Sequence, residues 1–374
     1  MIPNEARIDL SAIRDNFREI KRLAGVKSRI LAVVKSDAYG HGMVPVARTL
    51  QAAGVDYLGV FEMEEGLSLR KAGITAPVLI MMGIMPEEVP AVVENRLTAA
   101  VFQREIAQGL SEKSLKQGRL TPVHVKVDTG MTRLGLPLPD LEPFLRSLIP
   151  LKGLLLEGIF THFAISDQPQ HPYTARQMDG FVKAVEISRK LGVCTEAVHV
   201  SNSGALLEQS GLDFLMVRPG ILLYGSPPGQ AWAAGSFRPA MTFRSKVIQV
   251  RTVPTGTSIS YGCTFRTPSQ ATIATVPVGY DDGLSRLLSN KGEALIHGTR
   301  VPVVGRVCMN LTMVDVTSVE GVAVGDEVVF LGVQGGDRIT AEEMAHKIGT
   351  ISYEVYCSIG KSNRRVYVDR AKED

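Results

Sequence analysis

The sequence contains no run of eighteen apolar residues, although 45% of its 374 residues are apolar. It is therefore expected to bury at least one large core and to span no membrane. Cysteine is scarce: Cys194, Cys263, Cys308 and Cys357 lie far apart and form no C-x-x-C or Cys/His cluster. That spacing argues against both a disulfide framework and a structural zinc, and no metal is expected. No block of one charge occurs either, and the formal net charge is only +3. Nucleic acid and anionic membrane surfaces then have no electrostatic reason to bind, which leaves small molecules as the expected ligands. The opening MIPNEARIDLSAIRDNF has early acidic residues and no basic segment followed by an apolar stretch. No secretion signal is expected, and the cytoplasm is the expected compartment. Tandem repeats and low-complexity tracts are also missing.

What is present divides into two parts with different periods. From Ile30 to about Tyr224, short β-branched apolar runs alternate with longer segments of helical periodicity, the pattern of repeated strand-helix units around a parallel sheet. The runs are Ile30 to Val34, Tyr57 to Val60, Pro77 to Met81, Leu97 to Val101, Val123 to Val127, Leu154 to Phe160, Ala197 to Val200 and Phe214 to Val217. Eight such units, with no G-x-G-x-x-G after the first, fit a closed (β/α)8 TIM-type barrel better than an open dinucleotide-binding sheet. Beyond the Gly, Pro and Ala-rich stretch from Ser226 to Gly235, shorter strands follow: Thr242 to Val250, Ala271 to Val276, Glu293 to Ile296, Val301 to Val304, Thr312 to Val316 and Glu327 to Leu331. The expected organisation is an α/β barrel domain over residues 1–230 and a β-rich C-terminal domain over residues 231–374. Within the second, Thr340 with Glu343 three residues later predicts the start of a helix.

In such a barrel the chemistry gathers at the C-terminal ends of the strands. Lys35 follows the first run, Arg133 the fifth, His162 the sixth, Ser201-Asn202-Ser203 the seventh and Arg218-Pro219-Gly220 the eighth. Taken alone, a lysine at a strand end is simply solvated. A lysine behind a buried strand can instead be used covalently, as an imine with a carbonyl cofactor.

The surrounding motifs favour that second use. AVVKSDAYGHG resembles the cofactor-lysine signature of alanine racemases, which use pyridoxal 5'-phosphate. VKVDTGMTRLG, FTHFA, VHVSNSGALL, VRPGILLYG, SISYGCTFRT, VPVGYDDGLSR, GRVCMNLTMVD and ISYEVYC resemble successive blocks of the same family in the same order. The resemblance covers nearly the whole chain. It implies a fold-type III enzyme that interconverts L- and D-alanine and supplies D-alanine for peptidoglycan, and that assembles as a homodimer with shared active sites. By the same resemblance Lys35 forms the Schiff base with the cofactor and is the base for D-alanine, while Tyr261 is the base for L-alanine. Tyr39, Ser203, Gly220, Ile221 and Tyr353 match phosphate contacts, and Arg218 matches the partner of the pyridine nitrogen. His162 matches a link between Arg218 and Tyr261.

Arg133 resembles the arginine that meets the cofactor's phenolic oxygen and the substrate carboxylate, which suits a rigid guanidinium fork. Met309 matches a backbone contact to substrate made in the partner subunit. Lys126 matches a position carbamylated in many relatives. Tyr280, Arg286 and Ile351 resemble residues of the substrate access channel. In one respect the chain departs from the family: Asn310 stands where an Asp commonly follows, so the charge of the inner channel differs. The alternatives are a serine or broader amino-acid racemase of the same fold, a fold-type III decarboxylase and a non-catalytic carrier of the cofactor. Arg218 argues against the decarboxylase and the second domain against the carrier.

Overall fold

The computed structural model describes residues 4–168, 171–193, 196–208, 215–229 and 237–369. Cys194, Phe214 at the expected start of the eighth barrel strand, and the expected domain boundary at residue 230 lie outside the described residues.

The eight barrel strands, in chain order, are Arg29–Val33, Tyr57–Val60, Val78–Ile80, Thr98–Val101, Thr121–Asp128, Leu154–Phe160, Ala197–His199 and Met216–Val217. Each pairs in parallel with its neighbours. The ring closes where Met216 meets Arg29 and where Ala99 meets Val123. Strands buried on both faces explain why these segments read as continuous apolar runs rather than as alternating ones. Helices such as Leu10–Ala24 cover the outside. That helix starts at Asp9, whose carboxylate accepts from Ala12 N at 3.0 Å, and turns Ile13, Phe17 and Ile20 inward.

The second part is a set of antiparallel sheets, but its main sheet also takes the chain's first strand, Glu5–Asp9. This strand pairs antiparallel with Met241–Lys246 and parallel with Arg365–Val368. The segment expected as one strand from Thr242 to Val250 is two, Met241–Lys246 and Gln249–Val253, which belong to different sheets. The chain changes sheets at Val247 and Ile248, whose N–H groups go to Asp326 O and Thr275 O. Val247 is buried and Ile248 exposed at that crossing. The expected helix is Ala341–Ile348, with Thr340 Oγ1 accepting from Glu343 N at 3.1 Å. Glu343 does not complete the reciprocal cap. Its carboxylate pairs with Arg300 and Lys347 instead.

The helix Ser352–Ser362 fastens the two parts together against the turn that follows Lys35. Gly40, at φ +84°, lies so close to Tyr356 O that a Cβ would overlap it, and a Cβ on Gly360 would strike Gly40 O. Gly40→Ala should therefore cost about 3 kcal/mol in urea unfolding, combining overpacking against backbone with a left-handed φ. Gly349→Ala is the matched comparison, because Gly349 is also left-handed, at φ +73° and ψ +37°, but has open space around it. Its cost should be only about 1 kcal/mol. Equal losses at the two positions would remove the close helix contact from this account.

Candidate active site

Lys35 lies two residues beyond the end of the first barrel strand, after Val34, and the four residues after it adopt an uncommon conformation. Ser36, Asp37, Ala38 and Tyr39 all have φ between 53° and 55°, a left-handed turn that costs roughly 1–2 kcal/mol per L-residue. Surrounding groups hold it in place. Glu65 accepts from Ser36 N at 2.6 Å and Phe61 N at 2.7 Å. Asp37 accepts from Met43 N at 2.6 Å and pairs with Arg365. Strain retained by such over-determined contacts is typical of functional positions. The Lys35 ammonium sits 5.5 Å from the centre of the Phe61 ring. Burial, and then the charge of Arg133, lower its pKa below the ordinary lysine range against the opposing pull of Glu65. A neutral amine is thereby easier to reach, which is what a nucleophile requires.

Arg218 follows the eighth strand, is 4% exposed and pairs with no carboxylate among the described residues. Its Nη2 donates to Thr161 O at 2.7 Å and Val200 O at 3.1 Å. It also meets His162 Nδ1 at 3.2 Å, and Nη1 meets His199 Nδ1 at 3.0 Å. Burial pulls its pKa down to about 9, so it stays a cation at neutral pH. Guanidinium only donates, so both Nδ1 atoms must accept. The proton of His162 is then on Nε2. Burial and the charges of Arg218, Arg133, Lys126 and Lys35 keep that imidazole neutral.

Ser203 opens a short helix after the seventh strand, and its Oγ accepts from Gly220 N at 2.9 Å. A Cβ on Gly220 would come within 2.6 Å of the Tyr39 hydroxyl, so only glycine keeps this corner open. Tyr39 and Tyr353 approach each other with ring centres 5.7 Å apart. Burial raises both phenol pKa values, that of Tyr353 to about 12, and both therefore remain hydrogen-bond donors. Ile221 is buried in the same turn. This corner thus gathers two phenols, a serine and backbone N–H groups.

Lys126 and Arg133 line one small cavity with Asp128, Thr161 and His162. Lys126 is buried, donates to Met81 O at 3.2 Å and stands 5.2 Å from the centre of the Phe160 ring. Burial first, and then repulsion from Arg218, Arg133 and Lys35, bring its pKa to about 7.

Tyr261 and Met309 are placed elsewhere. Both are on the β domain, 71% and 55% exposed, beside Tyr280 at 43%. Ser260 Oγ donates to Arg306 O at 2.6 Å, and Tyr280 N and Asp281 N donate to Cys308 O and Met309 O at 3.0 Å. These bonds join the three residues into one surface patch. Asn310 Nδ2 reaches Asp281 at 3.4 Å, so a carboxylate does stand beside the position that lacks one. Among the described residues no hydrogen bond joins Tyr261 or Met309 to Lys35. Arg286 lines a cavity of the β domain with Tyr280, and Ile351 is exposed.

Two family models match the chain: "Alanine racemase, N-terminal domain" over residues 8–228 and "Alanine racemase, C-terminal domain" over residues 240–367. This chain belongs to the alanine racemase family. Among its relatives, Alanine racemase 2 of Caldanaerobacter subterraneus subsp. tengcongensis is 46% identical, over 99% of this chain and 96% of that protein. The solved alanine racemase of Clostridium difficile 630 is 38% identical with a TM-score of 0.91, covering 99% of this chain and 96% of that one. The alanine racemase of Bartonella henselae, solved with covalently bound pyridoxal phosphate, is 27% identical with a TM-score of 0.88, over 98% and 100%.

Several residues that shape this alanine racemase site did not emerge from the sequence. Glu65 holds the left-handed turn from the helix Met63–Lys71, which follows the second barrel strand, and no local pattern announces it. His199 and His124 are fully buried and hydrogen bonded to each other at 2.8 Å. The only signal for His124 is its two-residue spacing from Lys126, which places both on the barrel's inner face. Glu157, beyond His124, reads in sequence as an exposed break in an apolar run.

Proposed function

We propose that this alanine racemase interconverts L- and D-alanine with pyridoxal 5'-phosphate, exchanging the Cα proton between Lys35 on one face and Tyr261 of the partner subunit on the other. The observation that carries the reading is the pairing of a pKa-lowered Lys35 with a buried Arg218 that meets no carboxylate among the described residues, both on the barrel rim. The residues fit that cofactor. Ser203, Gly220, Ile221, Tyr39 and Tyr353 supply hydroxyls and N–H groups for a phosphate dianion, at a corner where a side chain on Gly220 would be excluded. Arg218 can give the pyridine nitrogen a hydrogen bond but cannot receive a proton from it. When bound, pyridoxal phosphate withdraws electrons and acidifies the Cα proton. An unprotonated ring withdraws less strongly, which suits brief removal and return of a proton.

The chain's own residues account for the rest. Lys35 supplies the attachment and one base. Arg133 orients the substrate carboxylate. His162, with its proton on Nε2, offers a donor toward the phenolate that Tyr261 must become, since an unperturbed phenol near pKa 10 is a weak base at neutral pH. The placement of Tyr261, Met309 and Tyr280 together on an exposed surface supports a homodimer in which a second copy presents them to the Lys35 site. The cellular reading is supply of D-alanine to peptidoglycan from the cytoplasm. The test is purified protein with pyridoxal phosphate and a panel of L-amino acids. L-Alanine should racemise fastest, and a faster rate with L-serine would move the reading to a broader racemase.

Lys126 fits carbamylation. At a pKa of about 7 much of the amine is neutral, and its nitrogen can add to carbon dioxide, forming an N–C bond and releasing one proton to solvent. The product places an anion among Arg133, Arg218 and Lys35. Protein equilibrated with carbon-13 bicarbonate should show one carbamate resonance that is absent in Lys126→Gln and that fades as acidification protonates the amine. No resonance in the parent protein would mean a free amine.

A further inference from the structure

We propose that Glu157 is a positioning residue for this site and acts on Arg218 from the opposite end of the barrel, through His124 and His199. The bonds form one directed chain. Arg218 Nη1 donates to His199 Nδ1 at 3.0 Å, and since that nitrogen accepts, the His199 proton is on Nε2. His199 Nε2–H then donates to His124 Nδ1 at 2.8 Å, leaving His124 with its proton on Nε2. That proton points to Glu157 Oε2 at 3.4 Å, where the Tyr57 hydroxyl also donates at 2.5 Å. A donor-only cation at one end and an acceptor-only carboxylate at the other admit a single arrangement of tautomers.

Every link is enclosed. His124 and His199 are fully buried, and burial keeps both imidazoles neutral. Burial pushes the Glu157 carboxyl up, but the hydrogen bonds from His124 and Tyr57, with Arg29 3.7 Å away, outweigh it and hold the group below the ordinary glutamate range. The charged groups of the chain are therefore Glu157 and Arg29 at its outer end and Arg218 at its inner end, with Lys126 nearby.

The backbone is shaped for this contact. Between the fifth and sixth barrel strands the register slips: Val123 faces Leu156 while His124 faces Gly158, which leaves Glu157 as the extra residue of a bulge. Bulges re-aim side chains, and this one brings Glu157 to His124 and Tyr57. Gly158 makes the room, since a Cβ there would lie 2.8 Å from His124 Nδ1.

The chemical sense lies in where the negative charge is kept. A carboxylate bonded directly to Arg218 would put a proton acceptor beside the cofactor's ring nitrogen. At the end of two imidazoles the same charge polarises each N–H in turn, making His199 a stronger acceptor for Arg218 without entering the site. The inference rests on Arg218 serving that ring, but the relay can be read in protein without cofactor. In histidine-labelled, cofactor-free protein, Glu157→Gln keeps an acceptor and loses the charge, so the imidazole N–H resonances of both His124 and His199 should move upfield. Tyr57→Phe frees Glu157 of one donor and should move both downfield. With cofactor bound, Glu157→Gln should lower kcat about fivefold, roughly 1 kcal/mol at 1.36 kcal/mol per tenfold, with KM for alanine unchanged. A His199 resonance that stays fixed in both variants overturns the relay. Shifted resonances with unchanged kcat, or equal changes in kcat and KM, overturn the positioning role. A parent protein without racemase activity would instead count against the proposed function and leave the resonance test standing.

Discussion

Lys35→Ala will fold as the parent does, yet lose racemisation by at least about a thousandfold, because one substitution removes both the attachment point and one of two proton-transfer groups. The folding half of the expectation follows from the local balance. Lys35 accepts no structural burden in the left-handed turn, which is held by Glu65, Asp37 and backbone bonds from Ala38 N to Val34 O and Gly40 N to Ser36 O. Its amine is also disfavoured where it stands, through burial and the charge of Arg133, so replacing it relieves a desolvation cost. The catalytic half is read in two ways. The visible absorbance of lysine-bound cofactor should vanish in the variant, and borohydride should no longer fix the cofactor to the chain. Phosphate-site contacts remain, so pyridoxal phosphate should still bind weakly. If absorbance and fixation persisted at parent levels, another lysine would be the attachment point. Lys126 would then be the first to consider, since it too has a lowered pKa.

Much of this site is legible in the sequence because the barrel converts linear position into spatial position. A residue directly after a buried strand must lie at the C-terminal rim, and this places Lys35, His162, Ser203 and Arg218 without any tertiary information. Alternation within a strand likewise puts Lys126 on the inner face. Legibility fails where that rule fails. The strand Glu5–Asp9 has no local feature that tells it to join a sheet formed more than two hundred residues later, since a pairing partner is not encoded in a strand's own period. The break at Val247 and Ile248 was hidden because both residues are apolar and β-branched and suit a strand on either side. The bulge at Glu157 is a relation between two strands rather than a property of one. A charged residue within an apolar run is the ordinary mark of an exposed position, so the pattern pointed away from its hydrogen bonds. Glu65 was missed for a related reason: its importance arises from the left-handed φ values of Ser36 to Tyr39, which no propensity predicts for non-glycine residues.

The proposed sharing of the site between subunits predicts the other large effect, the return of activity from two inactive proteins. Lys35→Ala and Tyr261→Ala homodimers should each be inactive, because each site lacks one of the two bases that opposite faces of Cα require. If Tyr261 works in its own chain, a mixed dimer holds one lesion in each site and stays inactive. If it works in the partner subunit, one site of the mixed dimer takes Ala at both positions while the other receives Lys35 from one chain and Tyr261 from the other. Random exchange at equal amounts makes half of the dimers mixed, each with one intact site, so activity should return to roughly a quarter of the parent value. The structure favours this arrangement because Tyr261 is 71% exposed and shares its surface with Met309 and Tyr280, while no hydrogen bond among the described residues links it to Lys35. Subunit exchange is followed independently with a size or charge tag on one parent. Tagged mixed dimers that form fully and remain inactive would assign Tyr261 to its own chain, and the homodimer would then need a reason other than catalysis.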